Sequence, residues 1–387
     1  MSSREIKISH DASQAVRAAL NGIGRTEDVR FSPDSRRLAL ACFERNSIAI
    51  VSVEITIVAH RPHVVVTDMS EFSSPCLKGP HGMEFLDDET IIVANRDGNV
   101  VVLGLPSHDG ALSRAELTPI DLRPGRGFEL LSGPSSLTIP GDADGGIEVL
   151  VCNNFGHTVT RHILQDDPLA VTKNDVLLHR WLDVPDFVAV SADNQWIAIS
   201  NHGTHTVMLY ERSASLDDRS APDGILRGTF YPHGLRFSAD GRWLFVADAG
   251  NPYVHVYARD GETWRGVQYP AASLQVIDDS LFQRGIRISR EQAGPKGIDI
   301  DRRGSVLAVT SMFDQLAFFD VSAVLEHISG QRRDHALHVS YELELQEELQ
   351  DEADLAQARI AALKGSTSFR ITKPLRLLKT TWSRRRR

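Results

Sequence analysis

Residues 231–260 read YPHGLRFSADGRWLFVADAGNPYVHVYARD. An apolar-alternating run from Leu235 meets an Asp240-Gly241 turn, a second run from Trp243 meets Gly250-Asn251-Pro252, and a third follows, so the stretch reads as three strands joined by tight turns. Five other stretches can be laid beside it: TEDVRFSPDSRRLALACF from Thr26, PHGMEFLDDETIIVANRDGNVVVL from Pro80, PSSLTIPGDADGGIEVLVCNNFGHTVT from Pro134, PDFVAVSADNQWIAISNHGTHTVMLY from Pro185 and PKGIDIDRRGSVLAVTSMFDQLAFF from Pro295. Aligning Phe31, Phe85, Ile139, Val190, Phe237 and Ile300 gives successive spacings of 54, 54, 51, 47 and 63 residues. One strand-rich unit of about 50 residues, repeated six times with little helix signal between copies, predicts an all-β fold: a six-bladed β-propeller. The longest spacing holds ASLQVIDDSLFQRGIRISREQA, an insertion over one face. EIKIS at Glu5–Ser9 is placed to complete the sixth blade from the opposite terminus, and DASQAVRAALNG reads as a short helix capped by Asp11 or Ser13.

The same register places chemistry. The first strand of a blade lines the central channel, and the residue four before each aligned apolar position opens that strand. Those six residues are Glu27, His81, Ser135, Asp186, His233 and Lys296, all polar or ionisable. His81, Asp186, His233 and Lys296 are the candidate catalytic residues, with Glu27 and Ser135 as ligand contacts. The second strand runs antiparallel, so its exits, Cys42, Asn95, Asn153, Asn201, Asp248 and Ser311, are expected at the same mouth. Of these Asn95, Asn153, Asn201 and Asp248 are candidate ligand-binding residues, joined by His202 in the turn that follows, with His157 and His205 exposed in neighbouring turns. The mouth is expected to be solvent-filled. Polar side chains also line water-filled propeller channels without performing chemistry, and Cys42 among apolar neighbours reads as a core thiol.

The 387 residues, 42% hydrophobic and 24% charged, suffice for a sizeable core. No apolar run reaches the length of a membrane span and the amino terminus carries no signal-like stretch, so a cytoplasmic protein is expected. Three widely spaced cysteines, Cys42, Cys76 and Cys152, make neither a disulfide framework nor a Cys-based zinc site. The net charge of −9 divides into +10 over residues 355–387 and −19 over the rest. An acidic body lacks the cationic field that phosphate backbones need, which excludes nucleic acid as a partner. No P-loop, dinucleotide fingerprint, nucleophile elbow or HExxH helix is present, so the residues name no cofactor.

The stretch around Tyr231 resembles lactonase-type bacterial propeller repeats. In the six-bladed gluconolactonase family the resemblance implies one divalent metal held at comparable positions by a Glu, an Asn and an Asp. Glu27 and Asp186 match, whereas His81 and His233 depart from the pattern and Lys296 adds a cation. That lysine either opposes a metal by Coulomb repulsion or replaces it as the electrophile facing an oxyanion or a sugar carboxylate, so the metal is left open.

Four segments follow from these readings: an N-terminal strand and helix over 1–25, the propeller over 26–325, a linker and acidic helix over 326–365, and a basic amphipathic tail over 366–387. Leu349, Ala353, Ala356, Ile360 and Leu363 form a short heptad seam, a candidate coiled coil. The tail, STSFRITKPLRLLKTTWSRRRR, is similar to an STSWRLTAPLR-like terminus of bacterial surface-polysaccharide glycosyltransferases and methyltransferases, matching at Ser366, Thr367, Ser368, Phe369, Arg370, Ile371, Thr372, Pro374, Leu375 and Arg376. From Pro374 onward Leu375, Leu378 and Trp382 share a helical face flanked by cations, the pattern of an interfacial helix on an anionic membrane.

Two functions follow. One is a carbohydrate-active or sugar-binding propeller, peripheral to the inner membrane on its cytoplasmic side, in surface polysaccharide (O-antigen or capsule) biosynthesis. The other is a non-catalytic scaffold holding polysaccharide-assembly enzymes together; a metal-dependent sugar lactonase is a further alternative.

Overall fold

The computed structural model describes residues 6–106, 117–143, 145–165, 169–213 and 215–331. Six sheets of antiparallel core strands follow one another along the chain. From inside outward, blade 1 is Thr26–Phe31, Arg37–Cys42, Ser47–Val58 and Arg61–Ser73, and blade 2 is Pro80–Asp87, Thr90–Asn95, Val100–Gly104 and Thr118–Pro119. Blade 3 is Pro134–Ala143, Gly146–Asn153, Thr158–Gln165 and Ala170–Leu178. Blade 4 is Pro185–Val190, Trp196–Asn201, Thr206–Glu211 and Gly224–Leu226, with Gly266–Gln268 added in parallel at its edge. Blade 5 is Pro232–Phe237, Trp243–Asp248, Tyr253–Ala258 and Ala272–Gln275. Blade 6 takes Pro295–Ile300, Val306–Ser311 and Ala317–Asp320 from one end of the propeller sequence and Lys7–Ile8 from the other, with Lys7 opposite Phe319.

The six-bladed architecture is therefore as the repeat predicts, and the N-terminal strand closes the ring. Because it does so, residues 6–25 belong to the propeller body, and the compact unit that holds them reaches Glu326. A helix, Gln14–Asn21, is capped by Ser13, whose hydroxyl accepts from Val16 N–H, and it buries Val16 and Leu20 against blades 1 and 6. A C-terminal helix, Val321–Gln331, follows blade 6. The acidic segment, the heptad seam and the basic tail lie outside the described residues.

The turn chemistry repeats with the strands. In Ser238–Gly241 the Gly241 N–H returns to Ser238 O, the Ser238 hydroxyl donates to Asp240, and Gly241 has φ 65°. Ser32–Ser35 and Ser191–Asn194 build the same turn, with Ser35 and Asn194 in the left-handed conformation.

Alternation within each strand then makes the core. In Arg37–Cys42, Leu38, Leu40 and Cys42 face blade 6 while Ala39 and Ala41 face blade 2. Equivalent apolar layers join blades 2 and 3, 3 and 4, and 4 and 5. Each blade buries both faces only because it has a neighbour on each side. Cys42 is a core thiol, and burial pushes its pKa up to about 12.

Toward the axis the blades meet backbone to backbone. A Cβ added at Gly297 would lie 2.5 Å from the Asp28 Cα, and one at Gly82 would lie 2.4 Å from the Ser136 Cα. Neither obstacle is a flexible side chain, so relief requires two innermost strands to part. Gly297→Ala is therefore expected to cost about 1–3 kcal/mol by overpacking. Urea unfolding measures it, and a variant as stable as the parent would show that the strands are not held this close.

Candidate functional site

One device aims the site. Every innermost strand has a one-residue register slip where it begins, between Thr26 and Val29, Pro80 and Gly82, Pro134 and Ser136, Pro185 and Val188, Pro232 and Leu235, and Pro295 and Ile298. These are β-bulges, which turn a side chain away from ordinary alternation. The residues at the slips are Glu27, His81, Ser135, Asp186, His233 and Lys296, the same six that the repeat alignment selects.

Five of the six side chains converge. Lys296 Nζ lies 2.6 Å from Glu27 Oε2, and Arg25 holds the other Glu27 oxygen. His233 Nε2 sits between two carboxylates, 3.1 Å from Asp186 Oδ2 and 3.4 Å from Glu27 Oε2. His81 Nε2 is 3.7 Å from Glu27 Oε2 and 4.0 Å from Asp186 Oδ1, while its Nδ1–H donates to Ser135 O at 2.8 Å. Ser135 contributes only backbone to the cluster; its hydroxyl donates to Asp186 O at 2.8 Å.

The second expected ring is displaced by one residue. Asn95, Asn153, Asn201 and Asp248 do not face the pocket. Each accepts the N–H of the loop leading into its own blade, from Lys78, Ser132, Asp183 and Phe230 at 2.7–2.9 Å. The amide nitrogens of Asn95, Asn153 and Asn201 donate to Asn99 O, Thr160 and Thr204, and the other oxygen of Asp248 accepts from Tyr231 and Gly250 N–H. Second-strand side chains point at neighbouring blades rather than the axis, and only the next residue, where the chain turns, dips into the mouth. Those residues are Phe43, Arg96, Asn154 and His202. Arg96 Nη2 reaches His81 Nε2 at 3.3 Å and Asp186 Oδ1 at 3.4 Å; Asn154 donates to Asp186 Oδ1 at 3.2 Å; His202 Nε2 is 3.6 Å from Asp186 Oδ2. Of the proposed ligand contacts outside the bulges, His202 alone is in the cluster. His157 accepts from Val184 N–H, and His205 stacks on Phe230 at 4.8 Å.

The mouth is roofed, contrary to the expectation of an open, water-filled one: the six bulge residues are between 0 and 3% exposed. Their cover is part-exposed Arg25, Phe43, Arg96, Tyr231 and Gln292. The Arg25 guanidinium lies 4.9 Å over Phe43, Tyr231 stacks on His202 at 4.1 Å, and Arg96 lies 5.5 Å from Phe155, which is 62% exposed. Gln292 comes from the insertion before blade 6 and accepts from Lys296 Nζ. Below, Phe187 packs 5.1 Å from His233 and carries the Arg30 guanidinium at 5.6 Å on its other contacts. Arg30, Glu84, Arg236 and Asp299, three residues along their strands from the bulges, close a second charged ring with Asp28, whose carboxyl burial raises to about 7.

Burial disfavours charge on Glu27, yet Lys296, His233, His81 and Arg25 hold its pKa well below the ordinary carboxylate value. Asp186 is likewise held low against its burial. Burial, seconded by Arg96, lowers His81 to about 3; burial lowers His202 to about 4 against the pull of Asp186; and burial lowers Lys296 to about 8 although Glu27 resists. At neutral pH the cluster therefore holds three cations and two carboxylates, with His81 and His202 neutral.

Glu27, His81 and His233 bring ligand atoms within 4.8 Å of one another, as a metal would require. The charges do not fit one. A cation about 2.1 Å from Glu27 Oε2 could lie no farther than about 4.7 Å from Lys296 Nζ. At an effective dielectric near 20, unit charges about 4 Å apart repel by about 4 kcal/mol, and a dication doubles that. Glu27 already has both oxygens committed to cations, and Asp186 one of its two.

No protein-family profile and no curated protein sequence matches the chain. Among solved structures it is similar to the calcium-binding protein regucalcin of Agrobacterium tumefaciens, at 14% identity over 81% of this chain and 95% of that one, with a TM-score of 0.47. A luciferin-regenerating enzyme is similar at 12% identity over 76% and 92%, with a TM-score of 0.49. A candidate 6-phosphogluconolactonase of Bacteroides fragilis is similar at 17% identity, over 61% of this chain and 66% of that one, with a TM-score of 0.41. These values assign no chemistry.

The buried histidines make an acid-sensitivity prediction. His202 unfolded protonates near 6.5 and folded only near 4, so the unfolded state binds more protons between these values and stability falls as pH drops through that window. His81 acts in the same sense down to about 3, and Asp28 in the opposite sense below about 7. His202→Gln removes one contribution, on the order of a few kcal/mol at full extent. Urea unfolding at pH 7.5 and 5 should show a smaller acid loss in His202→Gln than in the parent; an equal loss would mean that His202 is not buried neutral.

Proposed function

We propose that the propeller binds a small polyhydroxylated, sugar-type ligand beneath the Arg96 roof and acts on it by general acid–base chemistry through His233. The carrying observation is the placing of that imidazole. Both atoms facing its Nε2 are carboxylate oxygens, and Nδ1, although buried, has no hydrogen-bond partner. A histidine oriented by carboxylates through one nitrogen, with the other left as a free lone pair, is arranged as a base. Asp186 and Glu27 stabilise the imidazolium when Nδ1 takes a proton. Lys296 and Arg96 supply positive charge where an oxyanion develops. The exposed ring of Phe155 offers an aromatic face to the C–H side of a sugar ring.

Burial of the ring favours the scaffold reading in one respect, since a sealed ionic lock would also hold blades together. Four polar atoms in the cluster nevertheless lack partners: Arg96 Nη1, Asp186 Oδ2, His202 Nε2 and His233 Nδ1. A lock built for stability satisfies its members, because each orphan costs about 1–3 kcal/mol. Service in surface-polysaccharide assembly at an anionic membrane belongs to the same proposal and is supported by residues 366–387 alone.

His233→Gln is expected to lower turnover of a sugar or lactone substrate by about 10²–10⁴-fold. Screening free sugars, their lactones and nucleotide sugars against parent and variant tests this. An inactive, unliganded parent, with His233→Gln melting far below it, would favour the lock.

The tail predicts sedimentation with anionic vesicles that weakens as salt shortens the Debye length from about 10 Å at 0.1 M toward about 3 Å at 1 M. Equal pelleting after removal of residues 372–387 would refute tail-mediated attachment.

A further inference from the structure

Resting on the sugar-type reading of the same pocket, we infer that its ligand is anionic, a sugar acid or a sugar phosphate, received by Arg96 and Lys296, and that no divalent cation shares the ring.

The geometry supports this through spare donors and spare charge. Lys296 Nζ has three N–H donors and two acceptors, Glu27 Oε2 and Gln292 Oε1. Arg96 commits Nη2 to His81 and Asp186, whereas its Nη1 is buried without a partner. Arg25 and Lys296 divide the two oxygens of Glu27 between them. Asp186 Oδ1 takes Arg96 and Asn154, and Oδ2 faces His233 and His202. Glu27 is thus committed at both oxygens and Asp186 at Oδ1, and the cations Arg25, Arg96 and Lys296 outnumber these two carboxylates.

The neighbouring groups do not cancel that excess. In the ring beneath, Asp28 is held on Arg30, and Arg236 on Glu84 and Asp299, so its acids face its own arginines. Above, Glu291 sits beside Tyr231 and is exposed. A buried positive pocket with unfilled N–H donors is completed by a carboxylate or phosphate oxygen, whose charge is balanced and whose lone pairs meet those donors. Adding a dication would increase the imbalance that the anion removes. Arg96 has a further qualification as the receiving group: at 18% side-chain exposure it stands between solvent and the buried ring, so an incoming anion meets it first.

The test uses the full-length protein treated with EDTA, and calorimetry with glucose, gluconate, glucose 6-phosphate, acetate and inorganic phosphate as probes, followed by calcium and zinc alone. Gluconate or glucose 6-phosphate should bind about 10–100-fold more tightly than glucose, the effect of a hydrogen bond to a charged group. Which of the two binds distinguishes carboxylate from phosphate. Arg96→Gln should remove that preference, so that within the variant the anionic sugars bind no more tightly than glucose; Arg25→Gln serves as a second variant should Arg96→Gln melt early. Glucose binding as tightly as both anions overturns the inference and leaves the sugar reading standing. Acetate or phosphate binding while every sugar probe fails supports an anion site and overturns the sugar reading. Binding of none overturns both. Calcium or zinc raising the melting temperature, or tightening the binding of any sugar probe, overturns the exclusion of a cation.

Discussion

Adjacent innermost strands approach so closely at the axis that a Cβ on Gly82 or Gly297 would collide with backbone, and this approach governs the rest of the site. Strands that close leave no room for side chains between them, so the bulged residue beside each contact is turned toward the axis instead. Five such side chains share one small volume, and all five are ionisable. Each charge placed there costs several kcal/mol of hydration unless a partner or a pKa shift relieves it. The structure relieves it in both ways: Lys296 and Arg25 on Glu27, Arg96 on Asp186, and neutral forms for His81 and His202. Stability comes from elsewhere, in the apolar layers between blades. An ionic cluster is a poor way to add it, since well-packed apolar residues of similar volume serve as well or better.

The repeat made the fold and the bulge ring legible from sequence. Six copies in one register identify Glu27, His81, Asp186, His233 and Lys296 without knowledge of the bulges that aim them, because a periodic alignment carries the slip along with it. The second ring lies one residue beyond the strand exits for a reason equally physical. Alternation continues to the last residue of a strand, so Asn95, Asn153, Asn201 and Asp248 belong to the blade, and the chain enters the mouth only at the residue after. Asparagine at a strand exit looks like a ligand contact, yet its two-sided hydrogen bonding also suits the fastening of a loop, as Asn153 does with Ser132 N–H and Thr160.

The lower ring also has a signal in the sequence. Charge recurs three residues after the bulge position in four copies, as Arg30, Glu84, Arg236 and Asp299, and that spacing carries the lower ring. The roof is harder. Gln292 arrives from an insertion with no counterpart in the other copies, and Arg25 precedes the aligned segment, so neither belongs to the periodic signal. The missing information was contact between loops of different blades, which no local pattern contains.

That division between ring and roof bears on how such a site discriminates. The ring is fixed by backbone closure and shielded from water, so its charges act in a low dielectric and change little as a ligand arrives. Admission requires movement of the cover, and the cover consists of long side chains on turns: Arg25, Arg96, Tyr231 and Gln292. Arg96 belongs to both parts, touching His81 and Asp186 below and the ring of Phe155 above. Displacing it opens the mouth and at the same time withdraws a cation from Asp186, leaving that carboxylate with Asn154 and two imidazoles. A ligand that carries its own negative charge inward keeps Arg96 as a partner while passing it. A neutral one must separate Arg96 from Asp186 without offering a replacement. The barrier to admission and the preference for an anion thus arise from the same guanidinium.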